Sequence, residues 1–344
     1  MPIPTPFHSR TSAVCESYEW RNWSGYLAAG LYEPSFEREY FAIRNSAAMI
    51  DVSPLFKYEI SGPDAAQVVD RLITRDSSQC RVGQVMYSPW CDEEGKVIDD
   101  GVIARLDENH FRITAADPNL RWFQDVGYGY NAQVADVSAE LAALSLQGPN
   151  SRAILTEVVS GIDFDQLNYF WLAHGQVDDG RQNRTPLTVT RTGYTGDLGY
   201  ELWIDPEHAE TLWDRLFEAG ELHNIRPMGS EALEMTRIEA GFILAGIDFM
   251  PAMHTVRPTH TRSPFELGLG WLVDFNKPLF NGRRALLEEK ERGSRYRFVK
   301  LDIEGNKPAE NAYVFDQREK NIGWVTSAMW SPSAKKNIAL ATVD

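Results

Sequence analysis

Two adjacent carboxylates interrupt an otherwise apolar segment, Gly95–Ala104, and their type and position suit them to chemistry. The segment alternates as a β-strand does, so Asp100 shares a face with Ile98 and Val102 while Asp99 lies on the opposite face. Burying an ionised carboxylate in a partly apolar site is costly and raises its pKa, which suits a general base or a polar anchor. One acid paired at a sheet edge and the other in solvent would give the same pattern. Spacing alone therefore leaves both alternatives open.

A glycine-rich segment, Arg191–Glu201, is the second candidate. Its three glycines permit a close approach of the backbone to a flat ligand. Tyr194 offers an aromatic face for stacking, and Glu201 can accept two hydrogen bonds from the edge of a ring. The alternative is a glycine-rich hairpin whose acid is in solvent.

Two further positions carry a charged or aromatic side chain beside glycines. Arg237 lies in an amphipathic helical pattern, where it pairs either with an acidic ligand or with Glu234 on the same helix face. Trp271 follows Gly268 and Gly270, an arrangement that favours an aromatic wall over a flat ligand or a buried core tryptophan.

Two similar β-α units are predicted to position these residues. Residues 57–73 and 143–159 each indicate an alternating strand, a Gly-Pro turn and a helix with apolar residues three and four apart. Asp64 and Asn150 follow the prolines and are typical helix caps. Chance recurrence of a common turn is the alternative explanation. Residues 296–344 alternate like strands broken by turns and predict a small all-β domain.

The composition bounds the class of protein. A chain of 344 residues fits two or three domains. A net charge of −15 repels phosphate backbones and anionic lipids, so neither nucleic acid nor a membrane is expected as a partner. No segment has the length of a membrane span, and the N-terminus lacks the pattern of a secretory signal.

Several kinds of site are not predicted. Three cysteines, an odd number without CxxC spacing, argue against a disulfide framework or a structural zinc and favour a reducing cytoplasm. His254 and His260 fit no metal-binding pattern, so no metal is expected. GxSxG, Walker A and helix-opening GxGxxG motifs are absent.

Six segments, taken in order, resemble the folate-dependent aminomethyltransferase family. That family includes the glycine cleavage T-protein and tetrahydrofolate-dependent demethylases such as the dimethylsulfoniopropionate demethylase. The resembling segments cover most of the chain from about Tyr40 onward and are residues 50–53, 92–100, 192–201, 236–241, 267–271 and 325–327.

The resemblance implies an α+β fold in a three-domain ring, or cloverleaf, with two β-α repeat-type domains and a small C-terminal β-barrel domain. The first, folate-binding domain would be discontinuous and comprise residues 1–50 and 140–260. Residues 51–139 would form the second domain, which carries Asp100, and residues 265–344 the C-terminal helix and barrel. The family's C-terminal domain usually continues past the strand at 338–341, so a chain ending at Asp344 implies a truncated sequence or a reduced barrel.

The resemblance also implies a cofactor, tetrahydrofolate, and a set of site residues. Asp100 matches the catalytic aspartate, and Glu201 matches the glutamate that holds the edge of the pterin ring. The implied folate site contains Tyr87, Thr114, Tyr194, Glu201, Arg237 and Trp271.

Departures from the family pattern bear on the one-carbon donor. Ser53-Pro54-Leu55 replaces the Ser-His-Met of glycine cleavage T-proteins, and Thr114 replaces an asparagine, as in the demethylase branch. Trp20, Trp23 and Tyr26 occupy the place of the Gly-Trp-x-x-Pro pattern. These three aromatics form either a substrate pocket for a cationic methylated group or ordinary core.

The leading prediction is therefore a demethylase that moves a methyl or methylene group from a small N-, S- or O-methylated substrate to N5 of tetrahydrofolate. A glycine cleavage type aminomethyltransferase, acting on a lipoyl-bound aminomethyl group, is the first alternative. A non-catalytic folate-binding regulatory protein is the second. The sequence predicts no oligomeric state.

Overall fold

The computed structural model describes residues 1–178, 180, 183–255 and 258–344. The strands in these ranges are β1 Glu19–Trp23, β2 Tyr26–Leu31, β3 Ala47–Asp51, β4 Phe56–Ser61, β5 Val85–Cys91, β6 Val97–Asp107, β7 His110–Ala115, β8 Gln133–Asp136, β9 Ala142–Gln147, β10 Val159–Ser160, β11 Leu172–Asp178, β12 Arg184–Thr190, β13 Gly199–Ile204, β14 Ile225–Pro227, β15 Arg297–Ile303, β16 Tyr313–Phe315, β17 Asn321–Ser331 and β18 Lys336–Val343. The α-helices are α1 His8–Val14, α2 Glu37–Asn45, α3 Ala65–Leu72, α4 Leu120–Val126, α5 Ser151–Val158, α6 Ala209–Gly220, α7 Ser230–Ala240 and α8 Arg283–Arg292.

The chain divides into two compact units. The first unit comprises Met1–Tyr58, Gly83–Val85 and Asp136–Thr236. The second comprises Glu59–Val82, Met86–Ala135 and Arg237–Asp344. The three-domain division stays a prediction.

A seven-stranded sheet organises the first unit, in the order β10-β11-β12-β13-β9-β3-β14. Alternate residues of β13 point to opposite faces, which the core packing shows directly. Leu202 and Ile204 join the core beneath helices α5 and α6, whereas Trp203 joins a second core with α2 residues such as Ile43. Glu201 has the parity of Trp203 and lies on the face away from α5 and α6.

A five-stranded sheet in the order β5-β6-β7-β4-β8 lies mainly in the second unit. The second unit also contains an antiparallel four-stranded sheet in the order β15-β18-β17-β16. Strand β6, which carries both acids, lies between β5 and β7. Gly101 follows the acids because a Cβ there would lie 2.0 Å from the Thr114 carbonyl oxygen. The glycine therefore lets β6 approach β7 closely beside Asp100.

The two predicted β-α units form as expected, as β4 followed by α3 and β9 followed by α5. Gly62 and Gly148 at the two turns share the same left-handed backbone, with φ of 120° and 119°. The prediction that Asp64 and Asn150 cap the helices is wrong, because neither side chain accepts a hydrogen bond from a backbone N–H of its helix. The Asp64 carboxylate instead accepts from the Asn131 N–H at 2.8 Å.

Two other expectations concern membrane spans and cysteines. Among the described residues, every helix is too short or too polar to traverse a bilayer. Cys15, Cys80 and Cys91 are buried and form no disulfide bond within the described ranges.

Candidate active site

Asp100 and Tyr87 meet on the neighbouring strands β6 and β5. The Tyr87 hydroxyl donates to Asp100 Oδ2 at 2.6 Å, while Asp100 Oδ1 has no hydrogen bond within the described ranges. Burial raises the pKa of Asp100 to about 6; the Tyr87 bond opposes this rise and the charge of Asp248 adds to it. A half-buried carboxyl with this pKa is mainly ionised at pH 7 and can accept and return a proton.

Asp99 holds the backbone around Asp100. Its carboxylate is buried and accepts from the backbone N–H of Asp100 at 2.8 Å, the backbone N–H of Asp117 at 3.0 Å and the Asn119 amide at 2.9 Å. The Trp90 indole N–H donates to the Asn119 amide oxygen at 3.2 Å. Burial, followed by the charge of Asp100, raises the pKa of Asp99 well above its usual range. The two acids therefore differ in role. Asp99 is buried and stabilises the backbone around the site, whereas Asp100 is partly exposed to solvent.

Glu201 presents an open carboxylate oxygen in the first unit. Its Oε2 accepts from the Thr192 hydroxyl at 2.5 Å and, more weakly, from the Thr190 hydroxyl at 3.5 Å. Its Oε1 has no hydrogen bond to any residue that the structure describes. Burial raises the pKa of Glu201, and both threonine bonds lower it in part. A half-buried acceptor of this kind suits N–H donors on a ring edge.

The glycine-rich turn before Glu201 wraps a buried glutamine, which the sequence analysis missed. A Cβ at Gly199 would lie 1.9 Å from Gln147 Oε1, and one at Gly193 would lie 2.2 Å from it. The Thr195 hydroxyl donates to the same oxygen at 3.0 Å. The close backbone approach predicted for a ligand is thus made to Gln147, and Tyr194 is held half-buried within this turn.

Arg237 is wholly buried, and its charge faces Asp248 in the second unit. Its Nη1 donates to Asp248 Oδ2 at 2.6 Å, and its Nη2 donates to the Ser327 hydroxyl at 2.7 Å. Asp248 Oδ1 accepts from the hydroxyls of Thr326 and Ser327 at 2.5 and 2.8 Å. The predicted folate-binding role of Arg237 stays a prediction, while this geometry gives it a structural one.

The remaining predicted folate residues of the second unit differ in exposure. Thr114 is 7% exposed on β7, opposite Val102 of the Asp100 strand. Trp271 is 73% exposed on a short 3-10 turn, Gly270–Leu272, so its ring has a face open to a ligand. In the ranges that the structure describes, no group of three His, Cys, Asp or Glu side chains is arranged to hold a metal ion.

The three N-terminal aromatics do not form one cluster. Trp23 pairs with Tyr26 across the β1–β2 hairpin, and Trp23 packs against the core that contains Ile43. Trp20, three residues earlier on the strand, faces the other way, and its ring lies 4.8 Å from that of His8. Their role as a substrate pocket stays a prediction.

Comparisons with known proteins cover nearly the whole chain. The family model GCVT N-terminal domain matches residues 6–277, and the model glycine cleavage T-protein C-terminal barrel domain matches residues 296–344. The chain is 37% identical to the trimethylamine-oxide aldolase of Ruegeria pomeroyi over 99% of its own length but only 43% of the aldolase. It is 34% identical to an aminomethyltransferase of Desulfitobacterium hafniense, over 89% of this chain and 80% of the relative.

A solved structure shares the fold over the full chain. The glycine cleavage system aminomethyltransferase T from Bartonella henselae matches with a TM-score of 0.86 and 25% identity. The match covers 100% of this chain and 90% of that one.

Proposed function

Because the chain belongs to the glycine cleavage T-protein family of aminomethyltransferases, we propose that it is a demethylase that moves a one-carbon unit from a small methylated donor to N5 of tetrahydrofolate. The observation that carries the proposal is Asp100, a half-buried carboxylate with a pKa of about 6 and one oxygen without a hydrogen bond in the described ranges. Such a group is suited to accept the proton that a nucleophilic amine loses.

Membership of the family confirms the predicted enzyme class, cofactor and fold class. Members of this family are tetrahydrofolate-dependent one-carbon transferases, so the predicted enzyme class and cofactor are confirmed at the level of the family. The predicted α+β class with a small C-terminal barrel domain is confirmed as well. The site residues and the donor belong to the proposal.

The residues present fit a reduced pterin. In the first unit, Glu201 Oε1 is available to accept N–H groups from the edge of the ring, and Tyr194 offers an aromatic face. In the second unit, Trp271 is an exposed aromatic side chain. When bound, tetrahydrofolate supplies a nucleophilic amine that takes up the one-carbon unit. Asp100 in its ionised form accepts the proton released from that amine, and Tyr87 keeps the carboxylate oriented through its 2.6 Å hydrogen bond.

One relative favours a small N-methylated compound as the donor. That relative, 37% identical over 99% of this chain, is named a trimethylamine-oxide aldolase, after a small methylated nitrogen compound. This chain spans 43% of the length of that relative, and we propose a methylated nitrogen compound as its donor on this basis. The Ser53-Pro54-Leu55 departure from the T-protein pattern points the same way.

The alternatives rest on different observations. Relatives named aminomethyltransferase, at 34% identity, favour a lipoyl-bound aminomethyl donor as the second candidate. A non-catalytic folate binder has no need for a carboxyl such as Asp100, whose pKa is raised to about 6. The predicted cytoplasmic location is kept in the proposal, since the three cysteines are buried thiols.

Replacement of Glu201 tests the folate site. Glu201→Gln keeps the size of the side chain and removes the charge, and we expect tetrahydrofolate to bind about 10- to 100-fold more weakly by titration calorimetry, because hydrogen bonds to a charged group are worth roughly 1.5–3 kcal/mol. Glu140→Gln, an exposed acid of the same unit, is the matched control and should bind as the wild type does. Wild-type protein that does not bind tetrahydrofolate would refute the proposed function; an unchanged affinity of Glu201→Gln would remove Glu201 from the site.

A further inference from the structure

A small cavity of about 90 Å³ adjoins the start of the strand that carries the acid pair. This is several times the volume of roughly 10–15 Å³ that one water molecule needs. Ile98 lines the cavity and lies two residues before Asp100 on the same face of β6. At about 3.3 Å per residue, its Cα lies roughly 6.6 Å from that of Asp100.

The wall of this cavity also holds the acid pair in place. Asp117 and Asn119 line the cavity. The backbone N–H of Asp117 and the side-chain amide of Asn119 both donate to the Asp99 carboxylate. A ligand in the cavity would therefore lie next to groups that fix the geometry of Asp100. None of the functions assigned to the site so far uses this space.

The lining combines apolar surface with carboxylates. Trp122 and Met253 supply an aromatic ring and a thioether, and Ile98 an aliphatic wall. Asp117 and Asp125 add two acids. Methyl groups pack well against such apolar side chains, and a cation is attracted to an aromatic face.

The surroundings of the cavity carry more negative than positive charge. Arg121 lies 3.5 Å from Asp125 at the exposed rim, and His254 lies 3.6 Å from Asp117. Asp100 lies two residues beyond Ile98 on the same face of β6 and adds a carboxylate that is mainly ionised at pH 7. The local field therefore favours a positively charged ligand.

We propose that this cavity binds the cationic, methylated nitrogen of the one-carbon donor, with its methyl groups against Trp122, Met253 and Ile98 and its charge facing Asp117. The inference rests on the proposed function only in naming the ligand as the donor. It replaces the N-terminal aromatics with a pocket beside Asp100 as the site of donor recognition.

A cationic nitrogen also suits the transfer. When the C–N bond of a quaternary or protonated methylamine breaks, the electron pair stays on the departing nitrogen, which leaves as a neutral amine. Bound tetrahydrofolate would supply the electron pair for the new bond to the methyl carbon, and Asp100 in its ionised form would take up the proton released from the folate amine. Atoms and charge balance without an oxidant or a reductant.

Binding of tetramethylammonium to the full-length protein, without folate, tests the cavity. We expect saturable binding by titration calorimetry, and at least about tenfold weaker binding of tert-butanol, an uncharged molecule of similar shape. Trp122→Leu and Asp117→Asn should each weaken tetramethylammonium binding about tenfold. The backbone N–H that Asp117 gives to Asp99 remains in the second variant.

Matched controls separate the cavity from general effects. Trp330→Leu removes a partly exposed tryptophan of β17, and Asp107→Asn removes an exposed acid at the far end of β6; both should bind as the wild type does. Unchanged thermal midpoints of the two cavity variants would show that they fold. The inference is overturned if tetramethylammonium does not bind, if tert-butanol binds equally well, or if the cavity variants bind like the controls.

The failures of the two proposals are distinguishable. Protein that binds tetrahydrofolate but not tetramethylammonium would overturn the cavity alone. Protein that binds tetramethylammonium through Trp122 and Asp117 but binds no tetrahydrofolate would overturn the proposed function and leave the cation site standing.

Discussion

Asp100→Asn is expected to bind tetrahydrofolate as tightly as the wild type and to lose turnover by about 10²- to 10⁴-fold, the usual contribution of a positioned acid–base group. The substitution keeps the shape of the side chain and can keep the Tyr87 contact, but it removes the site at which the proton is taken up. Steady-state rates with saturating folate, together with calorimetric folate affinity, measure both halves of the expectation.

The pH profile ties this loss to Asp100 itself. Because Asp100 must be ionised to accept a proton and its pKa is raised to about 6, wild-type kcat should fall as the pH drops through 6. Tyr87→Phe removes the hydrogen bond that lowers this pKa, so the acid limb should move to higher pH. Asp107→Asn, an exposed acid on the same strand, should leave rate and profile unchanged. Near-normal turnover of Asp100→Asn would exclude Asp100 from the mechanism.

Arg237→Met is expected to lower the free energy of unfolding by about 3–5 kcal/mol, because it leaves the buried charge of Asp248 without its cation. Urea titration followed by circular dichroism measures the loss. Arg284→Met, at a 93% exposed side chain on α8, is the control and should change stability by less than about 0.5 kcal/mol.

A double-mutant cycle identifies the cause of that loss. Arg237→Met combined with Asp248→Asn removes both charges, so the two destabilisations should be far less than additive. Additive losses would mean that the ion pair is not what stabilises this region. A stable Arg237→Met protein with weak tetrahydrofolate binding would instead support the folate-binding role predicted from the sequence.

Strand alternation predicted that the two acids face opposite ways, but not that Asp99 is structural and Asp100 is accessible. The opposite faces of Asp99 and Asp100 follow from a period of two. The structural role of Asp99 depends on two residues that are distant in sequence. Asn119, which donates to Asp99, lies 20 residues after it, and Trp90, which donates to Asn119, lies 29 residues before Asn119. Asn119 lies just beyond β7 and is the residue that the sequence could have drawn attention to. Nothing in its spacing, however, indicates a hydrogen bond to Asp99 on β6.

Other parts of the site show the same limit. The glycines between Arg191 and Glu201 indicated a close approach, yet the group approached, Gln147, lies on another strand. The partner Asp248 lies 11 residues beyond Arg237, outside the one-turn spacing that a helical pattern can test. By contrast, the opposite faces of Trp20 and Trp23 on β1 follow from alternation, but the sequence analysis did not apply that rule to them.

The central claim is that this chain moves a one-carbon unit from a methylated donor to tetrahydrofolate, and isotope transfer tests it most directly. Purified protein would be incubated with tetrahydrofolate and ¹³C-methyl-labelled candidates, beginning with trimethylamine N-oxide and tetramethylammonium, and the folate pool would be examined by mass spectrometry. We expect one labelled carbon to appear on tetrahydrofolate for each donor methyl group lost, and this transfer to disappear in Asp100→Asn. A donor that is demethylated while tetrahydrofolate stays unlabelled, or label transfer that Asp100→Asn supports at the wild-type rate, would contradict the account.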